Sequence, residues 1–102
     1  ALAAIGAVLQ SSLRLGDHAF RLGGDEFALV LDHSGAAEAE LVVHRVCKAL
    51  DALEVGVGTR LRASFGVAVA AGETADPEAL LRAADAAMYE AKRAGERMRL
   101  AG

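Results

Sequence analysis

Hydrophobic positions change period several times along the chain, and each change marks an element. Leu2, Ile5, Leu9 and Leu13 recur at spacings of three and four, which predicts a helix over the first fifteen residues. Gly16 is the expected stop, with Arg14 in the last turn, where a cation suits the helix dipole. From Ala19 the period drops to two. Phe20 and Leu22 fall on one face, and after Gly23-Gly24 a second run sets Phe27, Leu29 and Leu31 on another. Two such runs joined by a tight glycine turn predict a β-hairpin. Ser34 is a candidate cap for a second helix, in which Leu41 or Val42, then Val46, Leu50 and Leu53, hold one face as far as Gly56 and Gly58. Leu61, Ala63, Phe65, Val67 and Val69 then alternate with Arg62, Ser64, Gly66 and Ala68. The small apolar members of that second set predict a strand covered on both faces. Gly56 to Thr59 and Gly72-Glu73-Thr74 read as loops. Asp76-Pro77-Glu78 combines a cap, a proline at the first helical position and an acid in the first turn. The helix it opens runs to about Ala94, with Leu80 or Leu81, Ala84, Met88 and Ala91 inward, and Gly95 ends it. Residues 97–100 suit a short closing strand.

The order α-β-β-α-β-α describes an α+β layer. A ferredoxin-like sandwich begins β-α-β, so this order is that of such a layer lacking its opening strand. The chain has 102 residues, enough for one domain or a piece of one. At 54% hydrophobic it supports a core, which excludes disorder; no run approaches the roughly 18 to 20 apolar residues of a membrane span. There is no initiator methionine and the first residues read as mid-helix, so the chain is expected to be part of something longer. A formal net charge of -3 argues against a DNA-binding role through bulk charge. Cations nevertheless crowd the C-terminal end, at Lys92, Arg93, Arg97 and Arg99. A single cysteine, Cys47, excludes an internal disulfide and a thiolate metal cluster. With no signal peptide, it suits a reducing cytoplasm and no membrane contact by this segment.

The sharpest chemical feature is Gly23-Gly24-Asp25-Glu26-Phe27. Glycines at a hairpin tip let backbone amides approach a ligand that side chains would obstruct. Adjacent carboxylates about 4 Å apart repel by about 4 kcal/mol at an effective dielectric of about 20, so a divalent cation or a donor-rich ligand facing one member eases the pair. Glycine backbone beside a carboxylate is what a nucleotide carrying Mg²⁺ requires. A plain hairpin followed by two solvated acids is the other reading of the same five residues. Upstream, Arg14 and Asp17 form an R-x-x-D that also reads as a helix-terminal arginine and a turn aspartate in local capping roles. His18, His33 and His44 lack metal-ligand spacing, and Cys47 on an apolar helical face reads as a buried small hydrophobe. Met88 and Tyr89 read as core or edge packing, Asp85 as a surface acid, and no serine has a histidine–acid arrangement for acyl transfer.

Residues 23–27 spell the GGDEF motif, and the chain resembles the GGDEF domain of diguanylate cyclases. Arg21 stands two residues ahead of the motif, Ala63-Ser64-Phe65-Gly66-Val67-Ala68 is similar to the family's S-x-G strand, and Ala84-Asp85-Ala86-Ala87-Met88-Tyr89-Glu90-Ala91-Lys92 to its A-D-x-A-[ML]-Y-x-A-K helix. The resemblance implies the βαββαβ palm fold of nucleotidyl cyclases and the condensation of two GTP into cyclic di-GMP with release of pyrophosphate. It implies a homodimer in which each domain holds one GTP, Mg²⁺ or Mn²⁺ as cofactor, and a sensor or regulatory domain elsewhere in the protein. Carried over residue by residue, Asp25 is the metal ligand and supports deprotonation of the 3′-hydroxyl. Glu26 stands beside it in the catalytic site. Gly23 and Gly24 lie against GTP, Phe27 anchors the strand in the core, and Lys92 reaches the terminal phosphates. Arg14 and Asp17 take the family's inhibitory-site position, where cyclic di-GMP binds away from the active site, with Arg45 supplying a further arginine. A guanidinium and a carboxylate suit the guanine edge.

Two departures bear on these expectations. In the family an opening strand carries a first metal aspartate, and a helix supplies guanine-recognising Asn and Asp; these fall outside residues 1–102, so residues 1–102 form a partial domain, expected to be inactive alone. After Lys92 the family commonly has glycine, arginine, asparagine, whereas here Gly95 is followed by Glu96 and Arg97. A carboxylate facing triphosphate repels it, and Arg97 is the candidate substitute. The alternative to an enzyme is a GGDEF module that binds cyclic di-GMP or GTP and reports it to a partner.

Overall fold

The computed structural model describes residues 2–31, 36–70 and 76–101. In chain order the elements are α1 (Leu2–Ser12), β1 (His18–Arg21), β2 (Glu26–Leu31), α2 (Ala36–Val57), β3 (Ser64–Val69), α3 (Pro77–Ala94) and β4 (Met98–Leu100). The four strands form one sheet in the order β1-β2-β3-β4. β1 pairs antiparallel with β2, while β3 runs parallel to β2 and β4 parallel to β3. The α+β class and the palm-like mixed sheet expected from the sequence are both present. β2 is bonded directly to β3, in register from Glu26 opposite Ser64 to Leu31 opposite Val69.

The period-two pattern of β2 and β3 sorts large from small residues. Phe27, Leu29, Leu31, Phe65 and Val67 face Ile5, Leu9, Val42, Val46 and Leu50 of α1 and α2 in the main core. Leu41 is exposed, so Val42 is the inward member of that expected pair. Ala28 and Ala68 point the other way, onto Ala84 of α3. Gly66 belongs to this second face. A Cβ there would run into the Ala84 carbonyl and the Met88 amide of α3, so the missing side chain lets that helix lie close on the sheet. The small residues read as a covered second face do cover one.

Helix ends follow local chemistry. Asp76 caps α3 by accepting from the Glu78 N–H at 3.1 Å, Pro77 opens the helix, and Gly95 closes it in the left-handed region at φ 72°, as expected. α1 ends earlier than the pattern suggests, at Ser12. Asp17 Oδ2 accepts the Arg14 N–H at 2.9 Å, and Gly16, at φ 94°, sits in the turn closed by the Asp17 N–H on the Arg14 carbonyl at 3.0 Å. Side-chain acceptors of this kind compete with helix continuation. Arg14 therefore lies beyond the helix and not in its last turn. Arg45 of α2 caps α1 instead, its Nε donating to the Ser12 carbonyl at 2.8 Å. Ser34 and the Gly72–Thr74 turn lie outside the described residues. Among those described, no helix is long and apolar enough to cross a membrane.

Candidate functional site

Because β2, β3 and β4 run parallel, their N-terminal ends meet at one end of the sheet. Backbone bonds tie them there: the Ser64 N–H donates to the Asp25 carbonyl and the Phe65 N–H to the Arg97 carbonyl, each at 2.8 Å. The hairpin tip between β1 and β2 closes where the Leu22 and Gly23 N–H groups both donate to the Glu26 carbonyl, at 2.7 and 3.3 Å. Arg21 braces the tip by donating to the carbonyls of Gly23 (2.9 Å) and Gly24 (3.4 Å). Neither glycine adopts positive φ, so their value is in what can come near. A Cβ on Gly24 would meet open space, and one on Gly23 would meet the Glu26 carboxylate. Phe27 stacks on Phe65 across the β2–β3 register, ring centroids 5.1 Å apart. An aromatic pair of this kind adds about 0.5–1.5 kcal/mol beyond its buried area and fixes the strand that carries the two acids.

Those acids converge on one cation. Lys92, from the last turns of α3, places Nζ 2.8 Å from Glu26 Oε2 and 3.4 Å from Asp25 Oδ1. The hydrogen bond to Glu26, and then the fields of both carboxylates, raise the Lys92 pKa above its usual value. The mutual repulsion of neighbouring acids is thus relieved by an ammonium at the point where their oxygens meet. A divalent ion fits the same point by charge and donor type, since hard carboxylate oxygens are what Mg²⁺ takes. Asp25 and Glu26 would hold it from this chain, and no group of three or more metal-binding side chains occurs among the described residues.

Beside Lys92 a groove of about 530 Å³ runs under the strand ends, lined among others by Asp25, Arg60, Arg62, Ser64, Glu96 and Arg97. Its rim charges are unequally engaged. Glu96 pairs with Arg99 at 2.8 Å, which reduces the repulsion expected of a carboxylate here. Arg97 pairs with Asp51 and Glu54 of α2, so it anchors β4 to that helix. Arg60 and Arg62 were not singled out as site residues by sequence reasoning; the signal that marks them is their place on either side of the buried Leu61.

The R-x-x-D pair lies at the other end of β1. Arg14 Nε and Nη2 donate to Asp17 Oδ2 and Oδ1 at 3.0 and 3.2 Å, a two-point fork, and Nη1 reaches Glu38 of α2 at 3.4 Å. The Asp17 side chain is fully buried and that of Arg14 about a third exposed. A groove of about 440 Å³ between α1 and β1 is lined by both, with Gln10, Phe20 and Arg21. Arg45 is engaged at the end of α1, as described. Of the remaining candidates, Met88 is buried but Tyr89 is exposed, and Asp85 is a surface acid. Cys47 is half-buried rather than buried, its Sγ 3.8 Å from Met98 Sδ, and burial raises its thiol pKa. His18 lies against Phe20 at the sheet edge, His44 is exposed, and His33 is outside the described residues.

Comparison with known proteins identifies the family. The family model described as "Diguanylate cyclase, GGDEF domain" matches residues 1–98. Similar curated proteins include the diguanylate cyclase DgcS of Shewanella oneidensis, 33% identical over 88% of this chain and 30% of its own length. The probable diguanylate cyclase DgcC of Escherichia coli K12 is 36% identical over 93% of the chain and 26% of its length, and the response regulator PleD of Caulobacter vibrioides 33% identical over 85% and 20%. The chain thus spans less than a third of the length of these relatives. No solved structure gives a significant match.

Proposed function

The chain belongs to the GGDEF family of diguanylate cyclases, and from that premise we propose that it is part of a domain that condenses two GTP into cyclic di-GMP and releases pyrophosphate. The observation that carries the reading is the convergence of Asp25 and Glu26 on one cationic point beside the open Gly24 tip. Gly23 and Gly24 offer backbone to the nucleotide where a side chain would stand in the way. Asp25, with Glu26 beside it, holds the divalent ion, Mg²⁺ or Mn²⁺, and Asp25 favours loss of the 3′-hydroxyl proton. When bound, the ion supplies charge neutralisation at the triphosphate. Lys92 serves first as counter-ion to the acids and, once a metal meets them, turns to the terminal phosphates, a charge-assisted contact worth roughly 1.5–3 kcal/mol. Catalysis needs a second copy holding the second GTP, in the cytoplasm where GTP is available, with a regulatory domain elsewhere in the protein.

Arg14, Asp17 and Arg45 form, in this proposal, the site where cyclic di-GMP restrains the enzyme. The exposed part of Arg14 and the neighbouring groove support it, and binding there has to compete with the Arg14–Asp17 fork. A receptor that binds without turnover is the second reading, favoured by Glu96 and by the engagement of Arg97 with α2. The test is synthesis of cyclic di-GMP by the full-length protein from GTP and Mg²⁺. Asp25→Ala is expected to reduce it by roughly a hundredfold or more, the usual scale for losing charge stabilisation at a reacting centre. An unchanged rate overturns the catalytic reading, and tight nucleotide binding with no product in the wild type supports the receptor.

A further inference from the structure

We propose that Arg60 and Arg62 form a polyphosphate subsite, gripping the part of the nucleotide tail that leaves as pyrophosphate; the proposal rests on the GTP-binding role of the adjoining tip. The loop before β3 is held so that these two side chains face outward. Leu61 between them is 8% exposed and packs in the main core, while its N–H donates to Glu54 Oε2 at 2.8 Å. Arg60 and Arg62 are both exposed, on either side of that buried position. Both arginines line the groove that also holds Asp25 and Lys92.

Their neighbours set them apart. Arg97 is bonded to Asp51 and Glu54, Arg99 to Glu96, and Lys92 to the two motif acids. Among the described residues, Arg60 and Arg62 take part in no ion pair, and Glu54, whose field reaches Arg60, is already held by Arg97 and the Leu61 N–H. Two guanidinium groups without a carboxylate partner, in a chain of net charge -3, suit a multiply charged anion, and guanidinium donors match phosphate oxygens in pairs. They also supply the positive charge that Glu96 does not offer at its position.

The probe is inorganic pyrophosphate with Mg²⁺, titrated calorimetrically into the full-length protein. Wild type is compared with Arg60→Gln/Arg62→Gln, with Arg60→Lys/Arg62→Lys and, as a control outside the groove, with Arg82→Gln. The glutamine pair is expected to weaken binding roughly tenfold or more, the lysine pair to recover part of it, and Arg82→Gln to match wild type. The same glutamine pair raises the KM for GTP more than it lowers kcat, and because both side chains are exposed its thermal midpoint stays at the wild-type value. Equal pyrophosphate affinity in wild type and glutamine pair, no binding by wild type, or an unchanged KM overturns the proposal. The two readings fail separately. Pyrophosphate bound through these arginines by a protein that makes no cyclic di-GMP removes the enzyme and leaves the subsite, whereas undiminished synthesis at unchanged KM removes the subsite alone.

Discussion

At the scale of single residues, two glycines with the same missing side chain do opposite things. Gly66 faces α3, where a Cβ meets helix backbone that cannot swing aside. Gly66→Ala is therefore expected to cost about 1–3 kcal/mol, the range for overpacking, and to lower the melting temperature by several degrees. Gly24 faces open space, so Gly24→Ala is expected to leave stability within about 0.5 kcal/mol and, if the proposed nucleotide lies there, to reduce synthesis. Thermal denaturation read beside product formation separates the two. Five consecutive letters were enough to single out Asp25 and Glu26, because the motif is contiguous. Their partner Lys92, 67 and 66 positions away, came from a second motif, and the contact itself belongs to folding. Arg60 and Arg62 carry no motif, and only the burial of Leu61 between them shows which way they face.

At the scale of elements, Asp51 and Glu54 both hold Arg97 at the joint between α2 and β4, and Glu54 also holds the loop before β3. Glu54 receives Arg97 and the Leu61 N–H together, and the Arg97 hydrogen bond, then the Leu61 one, hold its pKa below the ordinary value of 4.5. A carboxylate whose pKa is lower folded than unfolded stabilises the fold above the unfolded value and loses that contribution as pH falls through the folded one. Wild type is expected to exceed Glu54→Gln in urea stability near neutral pH, and the two to converge in acid. Parallel midpoints at every pH would show that the Glu54 charge contributes nothing. Elements were legible where hydrophobic period and caps agreed, as in α3 with Asp76, Pro77 and Gly95. The end of α1 was not, because Arg14 and Asp17 bond to one another and to local backbone, a pairing that no periodicity encodes.

At the scale of the whole molecule, the glycine-paired hairpin tip and the R-x-x-D turn lie at opposite ends of the four-residue strand β1, roughly 10–15 Å of extended chain. Arg14 is both a proposed contact for the product and the partner of a fully buried carboxylate. Arg14→Ala is accordingly expected to weaken cyclic di-GMP binding about tenfold or more, the effect of losing a charge-assisted contact, and to lower the melting temperature by leaving Asp17 without its fork. Calorimetry beside a thermal melt checks both, and identical titrations of wild type and variant remove the inhibitory assignment. The layer order was readable from the alternation of large and small residues. The direct β2–β3 pairing was not, since these two strands are separated in sequence by the whole of α2.

The strand starts that share one end of the sheet also set when this site can come into being. Asp25 is made before its brace at Ser64 and its counter-charge at Lys92, so a nascent chain carries the two acids uncompensated until those segments follow. Ligand affinity should then arise in a single late step, when α3 docks, rather than accumulate as the ribosome proceeds.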